Sequence, residues 1–342
     1  MENRKTKYII LVSSLVVLFI TILLSLMMGR YSLSFGDGIE IFKYIITGKD
    51  ITENEELYNA FTIFFQIRLP RILAAVLIGG ALSASGVMLQ SIFANPLVSP
   101  GIMGVLSGAS FGAAFGIVAF SNWVMVQTSS FVFGMLSLFI ALLIAGIYKS
   151  ISPLLLVLGG MISSALFNAL LSIVKMVADP NDELASIVFW LMGSLSLVDI
   201  GSTLYTAGIP LLVVMIASIA LGGVLNLLAM GDDEAKSLGI NASAYRIFVI
   251  IVSGFLASMT IVIAGNIGWV GLIIPHISRM IIGPDNRYLL PLSIIVGGIF
   301  LLVADTIVRT VFPVDIPLGI VTSIVGIVVF IIVLKNNRKG WR

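Results

Sequence analysis

Three arginines beside long apolar stretches are the side chains of this sequence best suited to specific recognition. Arg68 and Arg71 stand at the start of one apolar stretch, and Arg309 ends another, four residues after Asp305. A guanidinium group binds a carboxylate through two parallel hydrogen bonds, and the order Asp305 before Arg309 favours an i,i+4 ion pair on a helix. The arginines are therefore candidates either for docking an acidic partner or for anchoring helix ends at a membrane surface.

A second candidate site is a short acidic segment that separates two apolar stretches. Gly231 can end the preceding helix with a positive φ, and Asp232, Asp233 and Glu234 suit the first turn of a new helix. Gly239 can stop that helix after about two turns. The pattern predicts a short helix, which is either a solvated connector or a rigid docking element for a cytosolic motor.

Few kinds of enzymatic or metal chemistry are compatible with the other residues. The sequence has no G-x-x-x-x-G-K-[ST] motif, and its only Gly-Lys pair, Gly48-Lys49, continues with Asp50, so it cannot hold nucleotide phosphates in a P-loop. Cys is absent and His276 is the only histidine, which excludes thiolate and multi-histidine metal sites. We therefore expect no catalytic residue, no metal site and no cofactor. The net charge of +2 gives no indication of a nucleic-acid partner.

The elements that carry these residues are predicted to be membrane-spanning helices. The 342 residues are 59% hydrophobic and 11% charged, with a mean hydropathy of +1.14, whereas a soluble domain carries about 25% charged residues. About 20 apolar residues span the hydrocarbon core of a bilayer. Ten such runs predict an all-α polytopic membrane protein: Tyr8–Met28, Leu69–Leu89, Gly101–Phe120, Phe131–Tyr148, Leu154–Ala178, Leu204–Leu228, Ile247–Ala264, Val270–Ile282, Leu290–Val308 and Leu318–Leu334.

The distribution of basic residues predicts how these helices are oriented. Ten crossings put both termini on one side, and that side holds twelve of the 19 Lys and Arg residues. Because the cytoplasmic side carries the excess of positive charge, both termini are predicted to be cytoplasmic, with the chain embedded in the lipid of the cell membrane. The first span is longer than a secretory signal core, so we expect it to stay uncleaved. No polar stretch is long enough for a soluble domain, and residues 1–342 are predicted to form one membrane domain.

A weak internal repeat connects the two halves of the sequence. Gly86 follows Gly80 by six residues, and Gly271 follows Gly265 at the same spacing. Repeated halves are common in transporters, so the pattern favours a transport protein.

An ordered set of short motifs makes the chain similar to a known family. The acidic segment, Asp233-Glu234-Ala235 followed by Gly239, resembles the E-A-A…G coupling motif of ABC importer permeases. More specifically, the chain resembles the permeases that take up iron–siderophores, haem and vitamin B12. The other matching motifs run in family order from about residue 66 to the C-terminus: Arg68-Leu69-Pro70-Arg71, Ser85-Gly86-Val87, Asn95-Pro96-Leu97, Gly104-Val105-Leu106-Ser107-Gly108, Trp190 with Gly193-Ser194-Leu195, Gly268-Trp269-Val270-Gly271, Pro275-His276 with Arg279, Ala304-Asp305 with Arg309, and Ile316-Pro317-Leu318-Gly319.

This resemblance implies a vitamin B12 permease-like fold of ten helices, with a cytoplasmic coupling helix between the sixth and the seventh. It also implies that two cytosolic ATP-binding subunits grip this helix and supply the energy for transport. The residues that match the coupling segment are Gly231, Asp232, Asp233, Glu234, Ala235, Leu238 and Gly239.

The resemblance implies further partners at the membrane. In the family, arginines at the positions of Arg68, Arg71 and Arg309 receive acidic side chains from an external substrate-binding lipoprotein. A second permease subunit, either identical or similar, would complete the pathway for a metal chelate. The chain departs from the family after Gly326, where a proline is usual, and a straighter last helix is therefore expected.

An ion-gradient-driven secondary transporter is the alternative function. Such a protein needs buried titratable groups to couple substrate flux to protons or sodium. Only Asp305 and Lys175 are candidates in this sequence, and both lie near the ends of predicted spans. The sequence leaves open which chelate is carried and whether the two permease subunits are identical.

Overall fold

The computed structural model describes residues 4–31, 36, 38–40, 43–44, 54–120, 122–147, 152–196 and 198–336, and every statement below concerns these residues. All their regular elements are helices, as the composition predicts. The predicted cytoplasmic C-terminal residues 337–342 and the Gly48-Lys49 pair lie outside the described residues. The α-helices are α1 Arg4–Met27, α2 Glu55–Thr62, α3 Leu69–Ile92, α4 Val105–Ala119, α5 Trp123–Gly146, α6 Pro153–Val177, α7 Glu183–Leu191, α8 Ile209–Ser218, α9 Gly222–Met230, α10 Asp232–Ser237, α11 Ala242–Ala264, α12 Val270–Ile282, α13 Asn286–Val311 and α14 Leu318–Asn336.

Several α-helices continue into one another through tighter or wider turns. The π-helical turns Ile63–Arg68 and Ile200–Gly208 lead into α3 and α8, and the 3₁₀ turn Ile219–Leu221 joins α8 to α9. As a result, Glu55–Ile92 and Thr203–Met230 each form one long apolar rod.

Seven helical segments of the described residues are long and apolar enough to cross a membrane. Three shorter apolar helices, α4, α12 and α14, coincide with the third, eighth and tenth predicted spans. The 13 residues of α12 cover only about 20 Å at 1.5 Å per residue. The all-α polytopic prediction is therefore confirmed, whereas ten complete crossings remain a prediction.

Helix α3 lies at the centre of the bundle, with most of its side chains buried against α13, α11 and α12. Where α3 meets α12, Gly86 lies directly against the backbone of Gly271, which leaves no room for a side chain at either position. These two glycines are the matching positions of the predicted repeat. Small residues permit such close backbone packing in a membrane protein, so the two halves of the chain meet at equivalent points.

The bundle has two chemically distinct ends. At one end, Lys7 of α1 lies 4.9 Å from the ring centroid of Tyr288, near the α9–α10–α11 connection. At the other end, the C-terminal turn of α1 meets the start of α3 and the last turns of α13. We call the first the inner end and the second the outer end, following the predicted orientation. The predicted acidic helix lies at the inner end and the predicted arginines at the outer end.

Candidate functional site

The outer end holds a buried ionic cluster built by α3 and α13. Arg71 donates from Nε to Asp305 Oδ1 at 2.6 Å, and Arg309 donates from Nε to Asp305 Oδ2 at 2.8 Å. The Asp305 side chain is 0% exposed, and both guanidinium groups are buried. The i,i+4 pair expected from the sequence is therefore present. Because Arg71 binds Asp305 as well, one carboxylate is shared by two cations.

The third predicted arginine, Arg68, ties this cluster to α1. Its guanidinium group donates to the carbonyl oxygens of Leu26 at 2.6 Å and Met27 at 3.0 Å, and also to that of Tyr31. The last carbonyls of a helix have no partner within the helix, so Arg68 caps the C-terminus of α1. The structure thus brings Arg68, Arg71 and Arg309 together, with their polar groups directed at the chain's own acceptors.

One acidic residue of this cluster, Asp315, was missed by sequence reasoning. Asp315, between α13 and α14, accepts hydrogen bonds from Arg30 at 2.9 Å and Ser196 at 2.9 Å, and pairs with Arg71 at 3.3 Å. Burial opposes ionisation of Asp315, but the Ser196 hydrogen bond and the Arg71 charge outweigh it and lower its pKa. The signal available in the sequence was an acidic residue just before the Ile316-Pro317 motif.

An outer cavity of about 740 Å³ opens beside Asp315. Its wall is formed by the ends of α4, α5 and α11, by α7, and by the segment that precedes α14. Four aromatic side chains, five uncharged polar side chains and two carboxylates define its chemistry. They are Phe120, Trp123, Phe189, Trp190, Asn122, Asn181, Ser186, Ser194, Ser196, Asp182 and Asp315.

A second cavity of about 670 Å³ lies farther along the same segments. It is lined by residues of the α3–α4 and α11–α12 connections and by one face of α14, including Trp269, Asn266 and Ser323. The two cavities are separated where Met192, Asn266 and Gly319 meet backbone to backbone, with no space for a side chain at Gly319. The hydrogen bond from the Ser194 amide to the Ala264 carbonyl at 2.8 Å closes this partition.

The predicted acidic helix is present at the inner end. Gly231 ends α9 with φ 117°, α10 spans Asp232–Ser237, and Gly239 follows with φ 82°. Both glycines therefore act as the helix-terminating positions that the sequence predicts.

One face of α10 is fixed to the bundle. Arg246 of α11 makes two hydrogen bonds to the Asp232 carboxylate, at 3.0 and 2.5 Å, and Ala235 is buried. The Arg246 hydrogen bond is the main cause of the lowered pKa of Asp232. The opposite face is open, with the Asp233 side chain 97% exposed and Leu238 58% exposed. Glu234 is exposed as well.

A second polar tie stabilises the inner end next to α10. Asn226 of α9 donates to Asp285 at 2.7 Å and accepts from the amide of Asn286 at 2.8 Å. Hydrogen bonds from Arg287 and Asn226 hold the pKa of Asp285 well below its usual range. This tie connects the helix that leads into α10 with the start of α13.

The remaining polar candidates do not assemble into a metal site. Within the described ranges, no three His, Cys, Asp or Glu side chains are grouped so as to hold a metal ion. His276 lies half-buried on α12, and Lys175 lies half-buried near the end of α6.

Comparison with known proteins identifies the class of this architecture. The FecCD transport family matches residues 17–336. The chain belongs to the FecCD transport family. It is 40% identical to the molybdate import system permease MolB of Haemophilus influenzae, over 94% of each chain. It is also 38% identical to an iron chelatin transport system permease of Helicobacter pylori, over 83% of this chain and 86% of that one.

A solved structure agrees with this assignment. A metal-chelate type ABC transporter in an inward-facing conformation superposes with a TM-score of 0.85 at 38% identity, over 96% of this chain and 99% of that chain. As a member of the FecCD family, the chain is an ABC importer permease, which confirms the family-level function expected from its motifs. It is a transporter component rather than an enzyme.

Proposed function

We propose that this permease forms half of the membrane pathway of an importer for a metal chelate. A second permease subunit encloses the pathway, an external binding protein delivers the chelate to the outer end, and cytosolic ATPase subunits drive transport from the inner end. Both chain termini lie in the cytoplasm.

The observation that carries this proposal is that one face of α10 is anchored to the bundle while the opposite face is exposed. A solvated connector needs neither a buried face nor a specific ion pair, whereas α10 has both, through Ala235 and through the Asp232–Arg246 pair. Leu238, an apolar side chain, is exposed beside the charged Asp233 and Glu234. Protein interfaces place apolar contacts at their centre and polar residues at their rim, and Leu238 with its charged neighbours fits this arrangement. A helix held rigidly on one side can transmit force from a partner bound on the other.

The experiment that tests this role is co-purification of the permease with its ATPase subunit. Leu238→Glu is expected to weaken retention of the ATPase at least about tenfold, as loss of a central apolar contact does at an interface. Leu154→Glu is the matched control, because Leu154 is 68% exposed at the first turn of α6, where a carboxylate is tolerated. Equal ATPase retention by wild type and Leu238→Glu would contradict the coupling role of α10.

At the outer end, we propose that the external binding protein docks around Arg68, Arg71 and Arg309. Arg30, 47% exposed and bound to Asp315, is the member of this cluster that a partner's carboxylate reaches first. Arg68→Glu combined with Arg71→Glu is expected to abolish stimulation of ATP hydrolysis by the binding protein, but it also removes buried contacts. Arg30→Glu tests docking without that complication, and undiminished stimulation in this variant would argue against docking at the cluster.

The geometry of Asp305 disfavours the ion-gradient alternative. Both of its oxygens accept hydrogen bonds from buried guanidinium groups. A proton taken up by Asp305 would remove the negative charge that the buried Arg71 and Arg309 share, which is costly. Uptake by the permease alone in liposomes, driven by an ion gradient without ATP, would favour the alternative.

A further inference from the structure

The partition between the two cavities is a contact of three backbone segments. These segments are 190–194, 264–266 and 315–319. A methyl group added at Gly193, Gly265 or Gly319 would meet a carbonyl oxygen of a neighbouring segment. Among the described residues, a single backbone hydrogen bond crosses the partition, from the Ser194 amide to the Ala264 carbonyl at 2.8 Å. The segments therefore fit closely, with little backbone hydrogen bonding to hold them together.

Ser196 connects the first of these segments to the outer cluster. Its hydroxyl group donates to Asp315 Oδ2 at 2.9 Å and accepts from the Ser194 hydroxyl at 3.0 Å. The Ser196 amide donates to the same Ser194 oxygen at 3.1 Å. Because the Ser194 amide makes the hydrogen bond that crosses the partition, Asp315 holds this segment in place through Ser196.

Asp315 is itself held by two arginines. Arg30 donates to its Oδ1 at 2.9 Å, and Arg71, which is fixed by Asp305, donates to its Oδ2 at 3.3 Å. Asp315 also lies four residues before Gly319, on the third segment of the partition. One carboxylate therefore connects two of the three segments to each other and to the outer cluster.

The strength of this connection suits a contact that must break and form again. Hydrogen bonds to a charged group are stronger than those between neutral groups, and the pKa of Asp315 is lowered, so its carboxylate is ionised at neutral pH. However, Ser196 is exposed and the Asp315 side chain is 38% exposed, so water competes for both. Without Asp315, Arg71 would still bind Asp305, and Arg30 is open to solvent. Loss of Asp315 is therefore expected to loosen the partition and to leave the bundle folded.

We infer that Asp315 is a positioning residue for transport, which together with Ser196 keeps the partition between the outer cavity and the second cavity closed. This inference rests on the proposed importer function, in which a solute passes from the outer end to the inner end. The partition then opens once in each transport cycle, when the hydrogen bond between Ser196 and Asp315 breaks.

Single cysteines can probe the partition, because the natural chain contains none. Ser186→Cys places a thiol in the outer cavity, and Ser323→Cys places one in the second cavity. Intact cells that produce the permease and its ATPase, but no external binding protein, are treated with a membrane-impermeant maleimide. With the native Asp315, the thiol in the outer cavity is expected to react quickly. The thiol in the second cavity is expected to react more slowly, because the reagent reaches it only when the partition opens.

Two substitutions remove the connection without changing the backbone of the partition. Asp315→Ala and Ser196→Ala are each expected to speed labelling of Ser323→Cys at least about threefold, on the scale of one hydrogen bond. The labelling rate of Ser186→Cys is expected to stay unchanged. Ser196→Thr keeps the hydroxyl group and is expected to behave like wild type. Asp182→Ala is the matched control, because Asp182 also lines the outer cavity but its side chain does not cap α7.

The inference is overturned if the labelling rate of Ser323→Cys is unchanged in Asp315→Ala or in Ser196→Ala. An equal increase in Ser196→Thr or Asp182→Ala would also overturn it, because the effect would then be a general loosening of the outer end. If Asp315 had only a structural role, Asp315→Ala would lower the melting temperature without changing the ratio of the two labelling rates.

The two thiols also test the partition itself. Equal labelling of Ser186→Cys and Ser323→Cys with the native Asp315 would show that the partition does not separate the cavities. Absence of labelling at Ser186→Cys would show that the outer cavity does not open to the cell exterior. Either result overturns the inference. The coupling role of α10 is tested separately, because retention of the ATPase subunit does not require the partition to open.

Discussion

The two ends of the bundle use charged residues in opposite ways. At the outer end, Asp305 is completely enclosed and its two guanidinium partners are buried with it. At the inner end, Asp232 and Arg246 fix one face of α10, while Asp233 remains almost fully exposed. The outer charges therefore hold three helices together, whereas the inner charges position a surface for another protein. The role of a charged motif in a membrane protein thus depends on whether its side chains pair within the chain or remain exposed to another protein.

The largest expected effect is on the stability of the outer end. Asp305→Asn leaves Arg71 and Arg309 buried without their shared carboxylate, and we expect a loss of about 3–5 kcal/mol in the free energy of unfolding. Thermal unfolding of the purified permease in detergent measures it. Retention of the ATPase subunit by the folded fraction is expected to be normal. A free energy of unfolding within about 1 kcal/mol of wild type would show that the cluster does not hold the helices together.

A smaller loss is expected at the partition between the two cavities. In Gly319→Ala, the added methyl group meets the carbonyl oxygens of Met192 and Asn266, neither of which is a flexible side chain. We expect a destabilisation of about 1–3 kcal/mol, as for overpacking of a core. Gly268→Ala in the same region is the control, since nothing lies within 4 Å of its added methyl group. Equal melting temperatures for the two variants would contradict the close packing.

At the inner end, the expected effect is on coupling rather than on stability. Asp232→Asn removes the charge that Arg246 holds, and α10 loses its fixed position on α11. Because Asp232 is partly exposed, we expect less than about 1 kcal/mol of lost stability. Substrate transport per ATP hydrolysed is expected to fall severalfold in the reconstituted complex. Full coupling in this variant would show that the ion pair does not position α10.

The smallest expected effect is a pH dependence of the inner end. Asp232 and Asp285 have folded pKa values below their ordinary value of 3.8, so ionisation of both stabilises the folded state. This contribution is complete above pH 5 and is lost as the pH falls below about 4, because the unfolded chain then binds protons first. The melting temperature should therefore stay constant from pH 8 to 5 and decline below. A decline of the same size in Asp285→Asn would assign it to other groups.

The sequence predicted features that depend on residues close together in the chain. Gly231, the acidic residues after it and Gly239 were sufficient to predict α10, because helix ends are set by local backbone geometry. The Asp305–Arg309 pair followed from a spacing of four residues. In both cases local chemistry determines the outcome, and the structure confirms the geometry.

Features built from distant segments were not predicted. The Arg71–Asp305 contact joins residues 234 positions apart, and the Asp315 contact with Ser196 joins residues 119 apart. The outer cavity is formed by four separate stretches of sequence, 117–126, 181–196, 263–264 and 315–317, so no single stretch indicates it. The burial of the arginines also depends on α1, whose terminal carbonyls Arg68 binds.

The most direct test of the central claim, that energy enters through α10 from a cytosolic partner, uses a single cysteine. Since the natural chain contains none, Asp233→Cys provides one unique and almost fully exposed thiol. The account predicts that a membrane-impermeant maleimide added to intact cells leaves this thiol unlabelled. In inside-out vesicles stripped of the ATPase subunit the thiol should be labelled, and rebinding of the ATPase should protect it. Labelling from the cell exterior, or labelling that the bound ATPase does not reduce, would contradict the account.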